Sequence, residues 1–155
     1  MASSTAEKQH SKAITLLLNG TNASMKNIIP LQHNTGKAEM QGNTFSMEYG
    51  VLIGITGDVG GKLVLSGHSN TFRAIGKAMF GMPLEDDMLP SFSGELGNMI
   101  AGGLSTFISA NEVHINITAP TLLQGNTVIS GYKLAIKVTT AFEQAGDLSV
   151  YLMLD

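Results

Sequence analysis

A chain of 155 residues with 43% hydrophobic content is long enough to close one core of its own and too apolar to be disordered. Its net charge of −3 comes without a basic run, which argues against nucleic-acid binding, and the absence of cysteine excludes disulfides and thiol catalysis. Charged residues make up only 14% and there are nine methionines, a composition that leaves apolar surface for a partner or a second copy.

Residues 1–10 are polar and small and are expected to form a flexible tail, with the folded domain over 11–155. They carry no export signal, and the apolar run Ala13–Leu18 is too short to cross a bilayer, so a cytoplasmic protein without a membrane segment is expected. From Ser11 to Ile29, Ile14, Leu17, Leu18, Met25 and Ile28 recur at helical spacing. Asn19-Gly-Thr-Asn22 is a weak centre that could bend or interrupt this helix, and Pro30 closes it. Residues 31–46 are rich in Asn, Gly, Gln and Thr and suit a loop or a ragged edge strand.

Met47–Thr56 and Lys62–Ser66 are β-rich runs around Gly57-Asp-Val-Gly-Gly61 and predict a hairpin. Gly61-Lys62 also suggests a phosphate-binding loop. The pattern fails, because Thr56 stands where the first glycine is required and Leu63 where Ser or Thr is required. Asn70–Phe80 predicts an amphipathic helix burying Phe72, Ile75 and Met79, capped by Ser69 or Asn70 and stopped by Gly81 and Pro83. Glu85-Asp86-Asp87 then reads as a capping cluster rather than a cation site, with Asp87 the N-cap and Pro90 in the first turn of a long helix, Met88–Ser109.

On a helical wheel, Leu89, Phe92, Leu96, Ile100, Gly103 and Phe107 form the expected core stripe. Ser91, Glu95, Asn98, Gly102 and Ser105 form a polar stripe with no bulky side chain, a shallow surface rather than a pocket. Strands are expected near Val113–Thr118, Thr121–Ile129, Tyr132–Thr140 and Leu148–Leu154, with turn signals at Gly125-Asn126, Ser130-Gly131 and Gln144-Ala-Gly146. The order of elements predicts an α+β domain with helices segregated against a sheet.

The chemistry narrows by elimination. His10, His33, His68 and His114 show no metal-ligand spacing, and there is no Gly-x-Ser-x-Gly elbow, so neither a zinc site nor a serine hydrolase is supported. What remains is Glu95 and Asn98 on a helix with four glycines, Gly94, Gly97, Gly102 and Gly103, each costing roughly 1 kcal/mol of helix stability. A carboxylate and a carboxamide one turn apart can anchor a cationic partner and orient a water without a nucleophile of their own. The glycines are expected to clear space around them.

Gly94-Glu95-Leu-Gly97-Asn98-Met-x-Ala-Gly102, followed by Ile117-Thr-Ala-Pro120-Thr121, resembles the signature of the CheC/CheX/FliY chemotaxis phosphatases. Gly54-Ile-Thr56-Gly57 leading into Gly61-Lys-Leu-Val-Leu-Ser66 is similar to the hairpin of the CheX branch. The likeness runs from about Val51 to the C-terminus, and a single Glu-x-x-Asn favours CheX over CheC-like members, which typically have two. The resemblance implies a CheC/CheX-like domain, an antiparallel-rich sheet with helices packed on one face. It implies dephosphorylation of a CheY-like response regulator, with Glu95 pairing to the regulator's lysine and Asn98 placing the attacking water. It implies that the regulator supplies Mg²⁺, so this chain needs no metal or cofactor of its own, and that Ser91, Gly94 and Gly102 border the docking face. It also implies a homodimer formed through the sheets. The alternatives left open are a non-catalytic module of the same fold that binds a signalling protein, and a structural oligomer.

Overall fold

The computed structural model describes the chain from Thr5 to Asp155, with side chains from Ser11 onward; the expectation for residues 1–4 lies outside the described residues. Helix α1 (Thr5–Ile28) takes in residues 5–10, which composition alone assigns to a tail, and runs through Asn19-Gly-Thr-Asn22 without a break. The reason is tertiary. A Cβ at Gly20 would lie 2.6 Å from Leu104 Cδ1 and 2.9 Å from Phe107 Cδ1, so the weak helix former sits where α1 presses on the long helix. Thr21 Oγ1 donates back to the Leu17 carbonyl at 2.7 Å, satisfying a hydroxyl that is buried here.

After Pro30 come two short strands, β1 (His33–Thr35) and β2 (Glu39–Met40), which realise the ragged edge. The hairpin follows as β3 (Phe45–Gly57) and β4 (Gly61–Gly67). Next are α2 (Ser69–Phe80), a 3₁₀ turn at Asp86–Met88, and α3 (Leu89–Ser109). Strands β5 (Ile115–Ile117), β6 (Thr121–Ile129), β7 (Leu134–Phe142) and β8 (Gly146–Leu154) complete the chain. The eight strands make one sheet in the order β1-β7-β8-β4-β3-β5, with β2 also on β7 and β6 also on β3, and every pairing is antiparallel.

Register aligns one apolar row across the sheet. Ile53 faces Leu63, Leu63 faces Leu152 and Leu152 faces Ile136. Because side chains alternate along a strand, this register turns Val51, Ile53, Ile55, Leu63, Leu65, Leu148, Val150 and Leu152 toward the helices. They meet Leu17, Met25, Phe72, Ile75, Leu96, Ile100 and Leu104, and each such buried side chain contributes about 1.5–3 kcal/mol. The helices therefore lie on one face, as the resemblance implies. The opposite face carries a smaller cluster of Phe45, Met47, Val64, Ala135, Tyr151 and Met153, in which Phe45 stacks on Tyr151 at 3.9 Å. Tyr132, in the β6–β7 crossover, leans on Phe45 and donates to the Gly42 carbonyl at 2.7 Å.

Four local expectations are corrected. Gly125-Asn126 is no turn: it lies inside β6, where Gly125 takes φ 86° opposite the register shift between Met47 and Tyr49. Helix α2 starts at Ser69 with His68 as its N-cap and no side-chain cap, although Gly81 closes it with φ 76° as expected. Asp87 is not the N-cap of α3. The 3₁₀ turn Asp86–Met88 feeds straight into the helix, Met88 occupies the cap position, and Asp86 turns to Arg73 instead. The core stripe of α3 is also rotated. Ser93, Gly97, Ala101, Leu104 and Ile108 are buried alongside Leu89, Phe92, Leu96 and Ile100, while Phe107 is 38% exposed. Of the extra buried positions, Ser93 and Gly97 meet β3, where small residues let the helix come close, while Leu104 and Ile108 meet α1 at Gly20.

Candidate active site

Helix α3 lies over the sheet, with α1 packed along it. Three contacts fix it. The Ser93 hydroxyl, fully buried, donates to the Leu89 carbonyl at 2.8 Å and shares a hydrogen bond of 2.7 Å with the Tyr49 hydroxyl of β3. On the α1 side, Ser24 Oγ donates to the Ile100 carbonyl at 2.8 Å. On the α2 side, a Cβ at Gly76 would stand 3.3 Å from the Phe92 ring. Ser24, Tyr49 and Ser93 are supports that sequence reasoning missed; a serine within an apolar stripe was the available signal.

The glycines of α3 serve this packing more than access. A Cβ at Gly97 would lie 2.8 Å from Val51 Cγ1 and 3.1 Å from Ile53 Cδ1, and one at Gly103 would lie 2.2 Å from Ser24 Oγ. Gly97 therefore lets α3 settle on β3, and Gly103 lets it settle on α1. Neither clears space around Asn98. Only Gly102 fits that expectation, since a Cβ there meets nothing within 4 Å.

The polar face itself is present. Ser91, Glu95 and Asn98 are exposed and Gly102 is half-buried, while Ser105, half-buried, turns to the Ile115 carbonyl at 3.4 Å and so leaves the open face. Glu95 and Asn98 are three residues apart, so their side chains rise one turn from each other, with Cβ atoms about 5–6 Å apart. Such a pair offers one negative charge plus a donor and an acceptor to whatever docks. Among the described residues no three His, Asp or Glu side chains converge to hold a metal ion. An open cleft lined by Lys26, Ile29, His33, Phe142 and Glu143 among others lies at the C-terminal end of α1 and does not include this face.

The separate motifs converge at the rim. Gly54 N–H donates to Thr118 Oγ1 at 2.8 Å and Thr118 N–H returns to the Gly54 carbonyl at 3.0 Å. A Cβ at Gly54 would lie 2.9 Å from Thr118 Cγ2 and Oγ1, which accounts for glycine in the middle of a strand. This lock sets the β5–β6 connection, so that Pro120 borders Gly94, whose added Cβ would be 3.6 Å from Pro120 Cγ. Gly94 is thus a packing position at the edge of the face, with Pro120 as its wall.

Comparisons with known proteins bear on the fold and the family. The family model described as "Chemotaxis phosphatase CheX" matches residues 49–143, which contain most of β3, the whole of α3 and the Thr118–Pro120 connection. The chain is 26% identical over 146 residues to the CheY-P phosphatase CheX of Thermotoga maritima, covering 91% of this chain and 94% of that one. Among solved structures, the chemotaxis protein CheX of Desulfovibrio desulfuricans superposes with a TM-score of 0.77 at 20% identity, covering 91% of this chain and 97% of that chain. The CheX of a CheX–CheY–BeF₃–Mg²⁺ complex from Borrelia burgdorferi superposes with a TM-score of 0.73 at 18% identity, covering 91% and 96% of the two chains. With the family model covering more than half the chain and the same fold in these structures, the chain belongs to the CheX family of chemotaxis phosphatases.

Proposed function

We propose that this chain hydrolyses the aspartyl phosphate of a CheY-like response regulator in the cytoplasm, and that Glu95 and Asn98 do the work. The observation that carries this reading is the pair itself: an exposed carboxylate and an exposed carboxamide one turn apart, on a helix fixed from three sides. Glu95 docks the regulator by pairing with a lysine of its active site. Asn98 then enters beside the phosphoryl group, its carbonyl accepting from a water and its amide donating to a phosphoryl oxygen. The water oxygen bonds to phosphorus as the bond from phosphorus to the aspartyl oxygen breaks, leaving a free carboxylate and inorganic phosphate, with the water's proton passing to phosphate or solvent. Hydrolysis of this kind needs positioning and charge stabilisation more than a covalent intermediate, which is what two fixed polar side chains can supply. The Mg²⁺ belongs to the regulator. Ser91, Gly94 and Gly102 border the docked partner, and Gly102 leaves open ground for it.

The chain also acts as a homodimer in this reading. Strand β6 pairs with β3 on one side, and from Thr121 to Ile129 it carries neither charge nor proline, the usual guards of an edge. Val128 is exposed on it. A second copy adding through this edge would extend the sheet.

The test is phosphate release from an acyl-phosphorylated CheY-like receiver, measured with the wild-type chain and with Glu95→Ala. Loss of the anchor raises KM by about tenfold or more. Release no faster than the receiver's own decay, with binding retained in the wild type, would leave a non-catalytic binding module as the better description.

A further inference from the structure

Beyond the α3 face, three large apolar side chains stand in solvent close to one another in the chain: Phe80 at 56% exposure, Met82 at 63% and Met88 at 49%. They belong to the end of α2 and the connection into α3, and that connection is pinned rather than loose. Leu84 tucks against Gly76 of α2, Asp86 pairs with Arg73, Gly81 N–H donates to the Lys77 carbonyl at 2.8 Å, and Met88 N–H to the Glu85 carbonyl at 3.0 Å. Phe80 meets Phe92 of α3 edge to face at 5.6 Å. A fixed scaffold is therefore holding apolar groups outward.

Met88, at the cap of α3, leads from these side chains toward the site. Met88, Ser91 and Glu95 follow at i, i+3 and i+7 on one side of the helix, and seven residues of rise separate Met88 from Glu95 by about 10 Å. A domain that sets a lysine on Glu95 has to cover roughly 800 Å² to bind stably, which reaches well past one turn in either direction. The charge around the patch is one-sided: with Asp86 taken by Arg73, Glu85 and Asp87 remain exposed beside it, and Lys77 on α2 is the exposed cation nearby in the chain. A second copy meeting this patch across a two-fold axis would bring those acids against each other, so the charge favours a different, basic partner.

We infer that Phe80, Met82 and Met88, with Glu85 and Asp87 at their edge, are a second docking surface for the regulator's receiver domain, gripping an apolar contact flanked by Lys or Arg beside its phosphorylation site. This rests on the assignment of that receiver as the partner of Glu95 and Asn98. The surface acts on affinity and specificity, and the chemistry stays with Asn98.

The experiment titrates a CheY-like receiver, held in its phosphorylated form by beryllofluoride and Mg²⁺, against the full chain and two double variants, Met82→Ser/Met88→Ser and Glu85→Lys/Asp87→Lys. All four positions are exposed, so the serine pair keeps the wild-type melting profile, and the lysine pair, which reverses charge at the N-terminal entry to α3, lowers it by no more than a few degrees. Each weakens binding by about tenfold or more, while phosphate release at saturating receiver stays within about twofold of wild type. Unchanged binding in both variants overturns the docking surface, and so does a fall in the chain's own oligomeric mass, which would make a second copy the occupant. An Asn98→Ala chain that hydrolyses like wild type would refute the catalytic assignment while leaving the binding result to stand on its own. A wild-type chain that binds no loaded receiver overturns both.

Discussion

Alanine at Gly102 should stabilise the chain and alanine at Gly97 should not, although the residues share one helix. Both substitutions gain about 1 kcal/mol of helix propensity. At Gly102 that gain is unopposed, because the new methyl meets nothing within 4 Å. At Gly97 it would stand 2.8 Å from Val51 Cγ1 and 3.1 Å from Ile53 Cδ1, on side chains that are themselves fully buried and have nowhere to move. Overpacking of that kind costs about 1–3 kcal/mol. Propensity cancels in the comparison, so the two variants should differ by the overpacking cost alone, about 1–3 kcal/mol. For a domain of this size each kcal/mol moves Tm by about 2–4 °C. Paired urea melts give the difference directly, with the m-value reporting whether two-state behaviour holds. A Gly97→Ala chain as stable as Gly102→Ala would refute the claim that Gly97 exists to seat α3 on β3. Gly102→Ala carries a second readout: if a receiver backbone comes close there, it should slow phosphate release despite the gain in stability.

Other perturbations probe the supports. Ser93→Ala leaves the Tyr49 hydroxyl buried without its partner, and should cost about 1–3 kcal/mol in a denaturant melt, whereas Tyr49→Phe added to it should cost less than the sum of the two single changes. Thr118→Val removes the side-chain bond to Gly54 N–H, and should lower phosphate release more than a mutation of equal stability cost placed on β8, because it frees the Pro120 wall beside Gly94. Gly20→Ala puts a methyl 2.6 Å from Leu104 Cδ1, so it should lower Tm even though alanine is the better helix former. Val128→Lys should leave the thermal melt of the domain unchanged and halve its mass in light scattering if β6 is the dimer edge.

The sequence carries the sheet face and the site in different ways. The ends of strand β6 were legible, though not the bulge at Gly125 that its turn signal disguised, and the hairpin of β3 and β4 was legible from its glycine turn, because alternation and turn chemistry are local signals. The polar face of α3 was legible too, since Ser91, Glu95 and Asn98 share a helical phase and stand exposed as expected. What failed was everything decided by a neighbour. The break expected at Asn19–Asn22 is a helix crossing, the space expected at Gly97 is a contact with β3, and the cap expected at Asp87 yields to a 3₁₀ turn whose Asp86 holds Arg73. Ser105 shares the phase of the polar stripe but faces β5. In each case the residue type was read for its intrinsic preference, and the packing around it decided the outcome.

The central claim is that Asn98 places the attacking water. The most direct measurement is the decay of a phosphorylated CheY-like receiver under saturating wild-type or Asn98→Ala chain, with complex formation followed in parallel. Asn98→Ala should still bind, and the catalysed rate should fall by about a hundredfold, toward the receiver's own decay. An Asn98→Ala chain that binds and hydrolyses at the wild-type rate would contradict it.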